Sequence, residues 1–178
     1  MSLNTQSKLS VREMVLFSML GSLMFLSKLL MEALPNIHLL GTLTMTYTLV
    51  FRKKALIPLY VYVLLNGLYA GFALWWMPYL YIWTILWGIT MLLPKNMPRR
   101  IGCFIYPLVC GVYGVFFGIL YSPAQALLFG LDFKGTVAWV MAGLPFDLLS
   151  ALGNSVTGLL IVPLSELLTR LNKSKLRS

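Results

Sequence analysis

Charge, cysteine and histidine are all scarce in this chain, and each shortage removes a class of function. Of 178 residues only 11% are charged, with 5 acids set against 14 lysines and arginines. Water-soluble domains carry about 25% charge. With 59% hydrophobic residues and a mean hydropathy of +0.83, a soluble fold of this size cannot turn enough apolar surface inward, so the chain reads as a membrane protein. A single histidine and the lack of CxxC or HExxH leave metal and redox chemistry short of ligands. Cys103 and Cys110 lie seven apart in one apolar stretch, roughly 10 Å along a helix and too far for a disulfide. No GxxxxGK[ST] is present to bind nucleotide, and no GxSxG or paired acidic motif suggests an enzyme. No cofactor of the chain's own is expected. The excess of +9 would suggest nucleic acid in a soluble protein. In a bilayer the positions of the charges matter more than their sum, and no nucleic-acid partner is expected. Met1 to Ser10 is polar and predicts no removable signal peptide.

Apolar runs fall at about 11–33, 37–51, 55–76, 79–94, 101–122 and 145–169, and a spanning helix needs about 20 apolar residues. The expectation is an all-α bundle of six transmembrane helices in one integral domain, residues 1–178, multi-pass in the cell membrane. The second and fourth runs are short for a full crossing. Ser10 and Glu13 have capping-box spacing at the start of the first span, and Pro163 predicts a kink near the inner end of the sixth. Lys8, Arg12, Arg52, Lys53, Lys54, Lys95, Arg99, Arg100, Arg170, Lys173, Lys175 and Arg177 all fall on one side of six crossings. Basic loops stay inside, so both termini are predicted cytoplasmic, with the clusters resting on lipid phosphates. Residues 122–143, apolar but punctuated by Pro123, Gly130, Asp132 and Gly135, are predicted to form an outer lid segment. No internal repeat is visible.

Polar groups inside a membrane are costly and face the protein interior. Asp147, Ser150, Asn154 and Thr157 recur at three- and four-residue spacing, which places them on one helical stripe. They face a cavity, or else Asp147 caps a helix opening after Pro145 and Asn154 bonds a neighbouring helix. Four of the five tryptophans lie within thirteen residues, in a hairpin rich in Trp75, Trp76, Tyr79, Tyr81, Trp83 and Trp87. An interfacial aromatic belt would be spread around the circumference; this clustering predicts a concave aromatic site near the outer surface. Asn36 and His38 are the polar candidates in the loop after the first span. Lys28 and Glu32, at i and i+4, are expected to pair. Small residues let helices approach closely in lipid. They occur at Gly67 and Gly71, at Gly114 and Gly118, and at Ser18, Gly21 and Ser22, where they would give the first helix a flat strip for another subunit.

Six helices in so short a chain, small residues four apart in helix 1, a basic inner side and the run Pro145-Phe-Asp-Leu-Leu-Ser-Ala-Leu-Gly-Asn154 together resemble the substrate-binding S component of energy-coupling factor (ECF) vitamin transporters. The resemblance covers nearly the whole chain. It implies a membrane subunit that captures a vitamin outside, docks on a transmembrane scaffold subunit, and is driven by two cytoplasmic ATPase subunits that use ATP and Mg. Ser18 and Ser22 stand where the family carries an Ala-xxx-Ala scaffold contact. The loop Leu34-Pro-Asn-Ile-His38 and the hairpin from Trp75 to Trp87 are most similar to the cobalamin-specific S components. Ser150 stands where folate-type relatives often have His. The resemblance therefore implies Asn36, His38, Trp75, Trp76, Tyr79, Tyr81, Trp83, Trp87, Asp147 and Asn154 as substrate-binding, with a corrinoid as the expected ligand. Another vitamin such as folate, or a channel or scaffold without a ligand, are the alternatives.

Overall fold

The computed structural model describes residues 9–34, 37–94 and 97–174. Eight α-helical segments follow one another: α1 (Val11–Leu30), α2 (Leu40–Phe51), α3 (Leu56–Ala70), α4 (Tyr79–Leu92), α5 (Arg99–Val115), α6 (Phe117–Phe129), α7 (Phe133–Gly158) and α8 (Ile161–Ser174). Short 3-10 turns occupy Arg52–Ala55 and Leu74–Trp76. There is no strand among the described residues. Only Phe116 separates α5 from α6, and only Leu159 and Leu160 separate α7 from α8, so the segments make six helical bodies.

Three of these are long and apolar enough to cross a membrane: Val11–Leu30 with 20 residues, Arg99–Phe129 with 31 and Phe133–Gly158 with 26. The segments α2, α3 and α4 have 12, 15 and 14 residues, shorter than the ~20 that a straight crossing requires. The polarity is inverted relative to a soluble domain. Met19 and Leu23 on α1, Phe104 and Leu108 on α5, and Leu152 and Val156 on α7 are exposed, whereas Thr42, Thr44, Thr46, Thr48, Asn66, Thr90 and Asn154 are buried. Apolar surface outside and polar side chains inside is the arrangement that lipid, not water, stabilises.

At the centre lies α2, whose residues Leu40 to Thr48 are all buried and which is packed by α1, α4, α5, α7 and α8. The Thr48 hydroxyl donates to the Thr44 carbonyl at 2.6 Å and the Thr42 hydroxyl to the Thr157 hydroxyl at 3.0 Å, which satisfies polar atoms that lipid cannot. Helix α1 opens on the Ser10–Glu13 capping box, with both reciprocal bonds at 3.2 Å, and Glu13 also pairs with Lys54. Gly21 presses against α3: a Cβ there would lie 2.6 Å from Val61 Cβ and 2.7 Å from the Pro58 carbonyl. The seam between α5 and α7 is also tight, backbone against backbone, since a Cβ on Gly114 would lie 2.8 Å from Ala151 Cα.

Two boundaries differ from the sequence expectation. Residues 122–143, the expected lid segment, form a helical hairpin, with α6 continuing to Phe129 and α7 beginning at Phe133. The turn has its own chemistry. Gly130 adopts a left-handed φ of 66° that ends α6, and the Asp132 carboxylate accepts from the Gly135 amide at 2.7 Å to cap α7. Pro145 consequently sits inside α7 and does not open a helix. The break before α8 falls at Leu159 and Leu160, four and three residues before Pro163. A proline removes the bond to the carbonyl four residues back and its ring crowds that carbonyl, here that of Leu159.

Candidate functional site

A cavity of 470 Å³ opens at the end of the bundle where α1 finishes. Its walls come from the last turn of α1 and the connection that follows (Lys28, Glu32, His38), from α4 (Tyr79, Trp83), from α5 and α6 (Tyr113, Phe117, Tyr121, Gln125) and from α7 (Trp139, Asp147, Ser150, Asn154). The basic residues gather at the other end, where Lys54 pairs with Glu13, Arg52 reaches the Met91 carbonyl at 2.9 Å and Arg99 meets Glu166 at 3.5 Å.

Trp83 is the hub of the cavity. It is 1% exposed, and rings of His38, Tyr62, Tyr79, Tyr113 and Phe117 surround it at centroid distances of 6.0 to 6.3 Å. A second ladder climbs the facing wall. Tyr113, Phe117 and Tyr121 recur every four residues with neighbouring centroids 6.3 and 6.2 Å apart, and Tyr121 stacks on Trp139 at 5.8 Å and 22°. Among this aromatic surface three polar atoms are buried without a hydrogen-bond partner: His38 Nδ1, Trp83 Nε1 and Asn154 Oδ1. Leaving such an atom unpaired costs about 1–3 kcal/mol. Atoms of this kind can hydrogen-bond whatever enters the cavity, water included.

Asp147 has a structural task at the same place. It accepts the Gly118 amide at 3.1 Å, one of the amide groups that the break at Phe116 leaves without an intrahelical acceptor. A carboxylate at the first turn of α6 also complements the helix dipole. Asp147 therefore caps a helix, but across the seam to α6 and from within α7.

The expected site residues divide. His38, Tyr79, Trp83, Asp147 and Asn154 line the cavity, as does Ser150 of the predicted stripe. Thr157 lies deeper, bonded to Thr42. Trp76, Tyr81 and Trp87 do not line it. Each gives its polar hydrogen to a backbone carbonyl: Trp76 to Val63 at 2.8 Å, Tyr81 to Leu120 at 2.7 Å, Trp87 to Arg52 at 3.1 Å. They clamp neighbouring segments together and stand outside the cavity lining. Trp75 is a supporting residue outside the lining, edge-on to Tyr79 at 5.8 Å, and its carbonyl accepts from the Tyr121 hydroxyl at 2.9 Å. Asn36 lies outside the described residues. Lys28 and Glu32 both line the cavity, but no ion pair joins them among the described residues.

Sequence reasoning missed Tyr113, Phe117, Tyr121, Gln125 and Trp139. The first three recur every four residues, as Tyr79 and Trp83 do, so the repeat could have found them. On the outer face of α1, Ser18 and Ser22 sit in a shallow apolar groove with Met14, Val15, Met19, Leu23 and Leu26. Gly21 is buried against α3 and does not line that groove. Among the described residues no cluster of His, Cys, Asp or Glu has the makings of a metal site. No family model, curated protein or solved structure matches the chain.

Proposed function

We propose that this chain is the substrate-binding S component of an ECF-type vitamin importer, embedded in the cell membrane by six helical crossings with both termini and the basic end in the cytoplasm. The observation that carries the reading is the cavity at the opposite end, walled by two aromatic ladders and furnished with unpaired polar atoms. Small-molecule sites occupy about 300–1,000 Å³ and combine apolar walls with a few placed polar groups; 470 Å³ falls in that range. The ligand enters from outside and stacks on Trp83, Phe117 and Tyr121. It takes hydrogen bonds from the Trp83 indole and gives them to Asn154.

The loaded subunit then docks on a scaffold through the groove around Ser18 and Ser22, and two partner ATPases supply ATP hydrolysis. The short α2, α3 and α4 are accommodated by tilt and local thinning of the bilayer.

A corrinoid, amphipathic and rimmed with amides, is the ligand that the loop and hairpin resemblance names. It needs the segments around Glu32 and Trp139 to part, because the whole molecule is larger than this cavity. The volume itself favours a second reading within the same class, a smaller planar vitamin. Folate suits the site poorly, since Glu32 and Asp147 set two carboxylates against the single ammonium of Lys28.

Equilibrium binding to the purified subunit across a panel of vitamins tests the proposal. One ligand is expected to saturate and to quench tryptophan fluorescence. Absence of saturable binding to any member would reject it in favour of a channel or scaffold.

A further inference from the structure

A second cavity of 470 Å³ lies at the basic end, far from the aromatic site, between the end of α2, the start of α5 and the face of α8. One wall is apolar, formed by Leu49, Val50, Met97 and Val162; the other carries Arg99, Arg170, Ser165, Thr169, Tyr106 and Glu166. The charged lining residues sum to one net positive charge. Arg99 meets Glu166 only through Nε, at 3.5 Å, and its side chain is 70% exposed. The two ion pairs among the described residues are Arg99–Glu166 and Lys54–Glu13, so neither neutralises Arg170.

A second cation without an ion pair, Arg52, acts electrostatically on the lining residue Tyr106 but stands outside the lining itself. Arg52 follows directly on α2, two residues beyond Val50, with a strained φ of 53°. Its Nη2 donates to the Met91 carbonyl at 2.9 Å, while its Nη1 is buried without a partner. Guanidinium groups present paired donors that match phosphate geometry. Basic pockets between helices, apolar on one side, are suited to the headgroups of anionic lipids.

We propose that this cavity binds a phosphodiester anion in the form of an anionic phospholipid headgroup, with the phosphate between Arg99 and Arg170 and the glycerol end of the lipid against Leu49, Val50 and Val162. The apolar wall is what selects a lipid over free phosphate. The site is independent of the vitamin cavity and of its ligand.

Native mass spectrometry of the full-length protein in detergent tests this with three probes: phosphatidylglycerol, phosphatidylcholine with the same acyl chains, and inorganic phosphate. One phosphatidylglycerol is expected to be retained per chain, in preference to phosphatidylcholine. The double substitution Arg99→Gln with Arg170→Gln is expected to weaken retention by about 30-fold, the loss of two basic contacts. Ser165→Phe leaves every charge in place, fills the cavity and is expected to abolish retention. Lys53→Gln and Arg100→Gln, exposed residues outside the cavity lining, are expected to change it by no more than about threefold. Wild-type retention by Ser165→Phe, equal losses from Lys53→Gln and Arg100→Gln, or equal retention of phosphatidylcholine would overturn the proposal. So would occupation of the site by inorganic phosphate without any preference for the lipid.

Discussion

Adding one methyl group at Gly118 is expected to change sign in its effect according to what stands at position 147. In the native chain the Gly118 amide donates to the Asp147 carboxylate at 3.1 Å, and a Cβ on Gly118 would collide with that same carboxylate. Asp147 is 8% exposed, and any move that clears the methyl group breaks its bond to the Gly118 amide. A hydrogen bond to an ionised group is worth about 1.5–3 kcal/mol, so Gly118→Ala is expected to destabilise by about that amount. With Asp147→Ala already in place the obstruction is gone. What remains is the ordinary preference of a helix for alanine over glycine, about 0.5–1 kcal/mol in the stabilising direction. The coupling between the two sites should therefore be about 2–4 kcal/mol. Unfolding of the four proteins of this cycle by sodium dodecyl sulfate in mixed micelles measures it. Equal destabilisation by Gly118→Ala in both backgrounds, with coupling below about 0.5 kcal/mol, would show that Asp147 is not the cap of α6.

Two tryptophans of one hairpin should separate affinity from stability. Trp83→Phe removes a stacking surface and a free indole donor, and is expected to weaken vitamin binding by about 1–3 kcal/mol, or about 5- to 150-fold. Trp76→Phe loses only its bond to the Val63 carbonyl, and should lower stability by about 0.5–1.5 kcal/mol with affinity unchanged; calorimetric titration and thermal unfolding would expose the reverse pattern. On α1, Ser18→Trp and Ser22→Trp are expected to abolish uptake in cells while sparing binding by the purified subunit, and normal uptake would discard the docking groove. Gly21→Trp should instead prevent accumulation of folded protein, because its side chain would enter Val61 and Pro58.

Much of the site is legible in the linear pattern, and the reason lies in helical periodicity. Spacing puts Asp147, Ser150 and Asn154 on one face of a helix and Tyr79 and Trp83 on one face of another, and the cavity is where those faces meet. Periodicity does not say which neighbour a ring will find. Trp76, Tyr81 and Trp87 are as aromatic as Trp83, but backbone carbonyls of α3, α6 and the turn after α2 lie within reach of their polar hydrogens and convert them to clamps. Position Gly21 fails for a related reason: adjacent in sequence to Ser22, it is turned about 100° from it around the helix, towards the side that packs on Val61 and Pro58.

The boundary at Pro145 misleads because proline breaks helices in water. In a tightly packed apolar bundle the freed backbone group finds other partners, and Pro107, Pro123 and Pro145 all lie within helices. The decisive local signals were Gly130 and Asp132, a left-handed terminator followed by a cap.

Gln125 lines the aromatic cavity and is half-buried, which makes it the place to ask whether that cavity faces outward and holds a nutrient. With Cys103 and Cys110 replaced by alanine and Gln125 by cysteine, a membrane-impermeant thiol reagent should label intact cells, and the vitamin that binds the purified subunit should block the labelling. Labelling only after the membrane is opened, or labelling that no bound vitamin slows, would contradict the account.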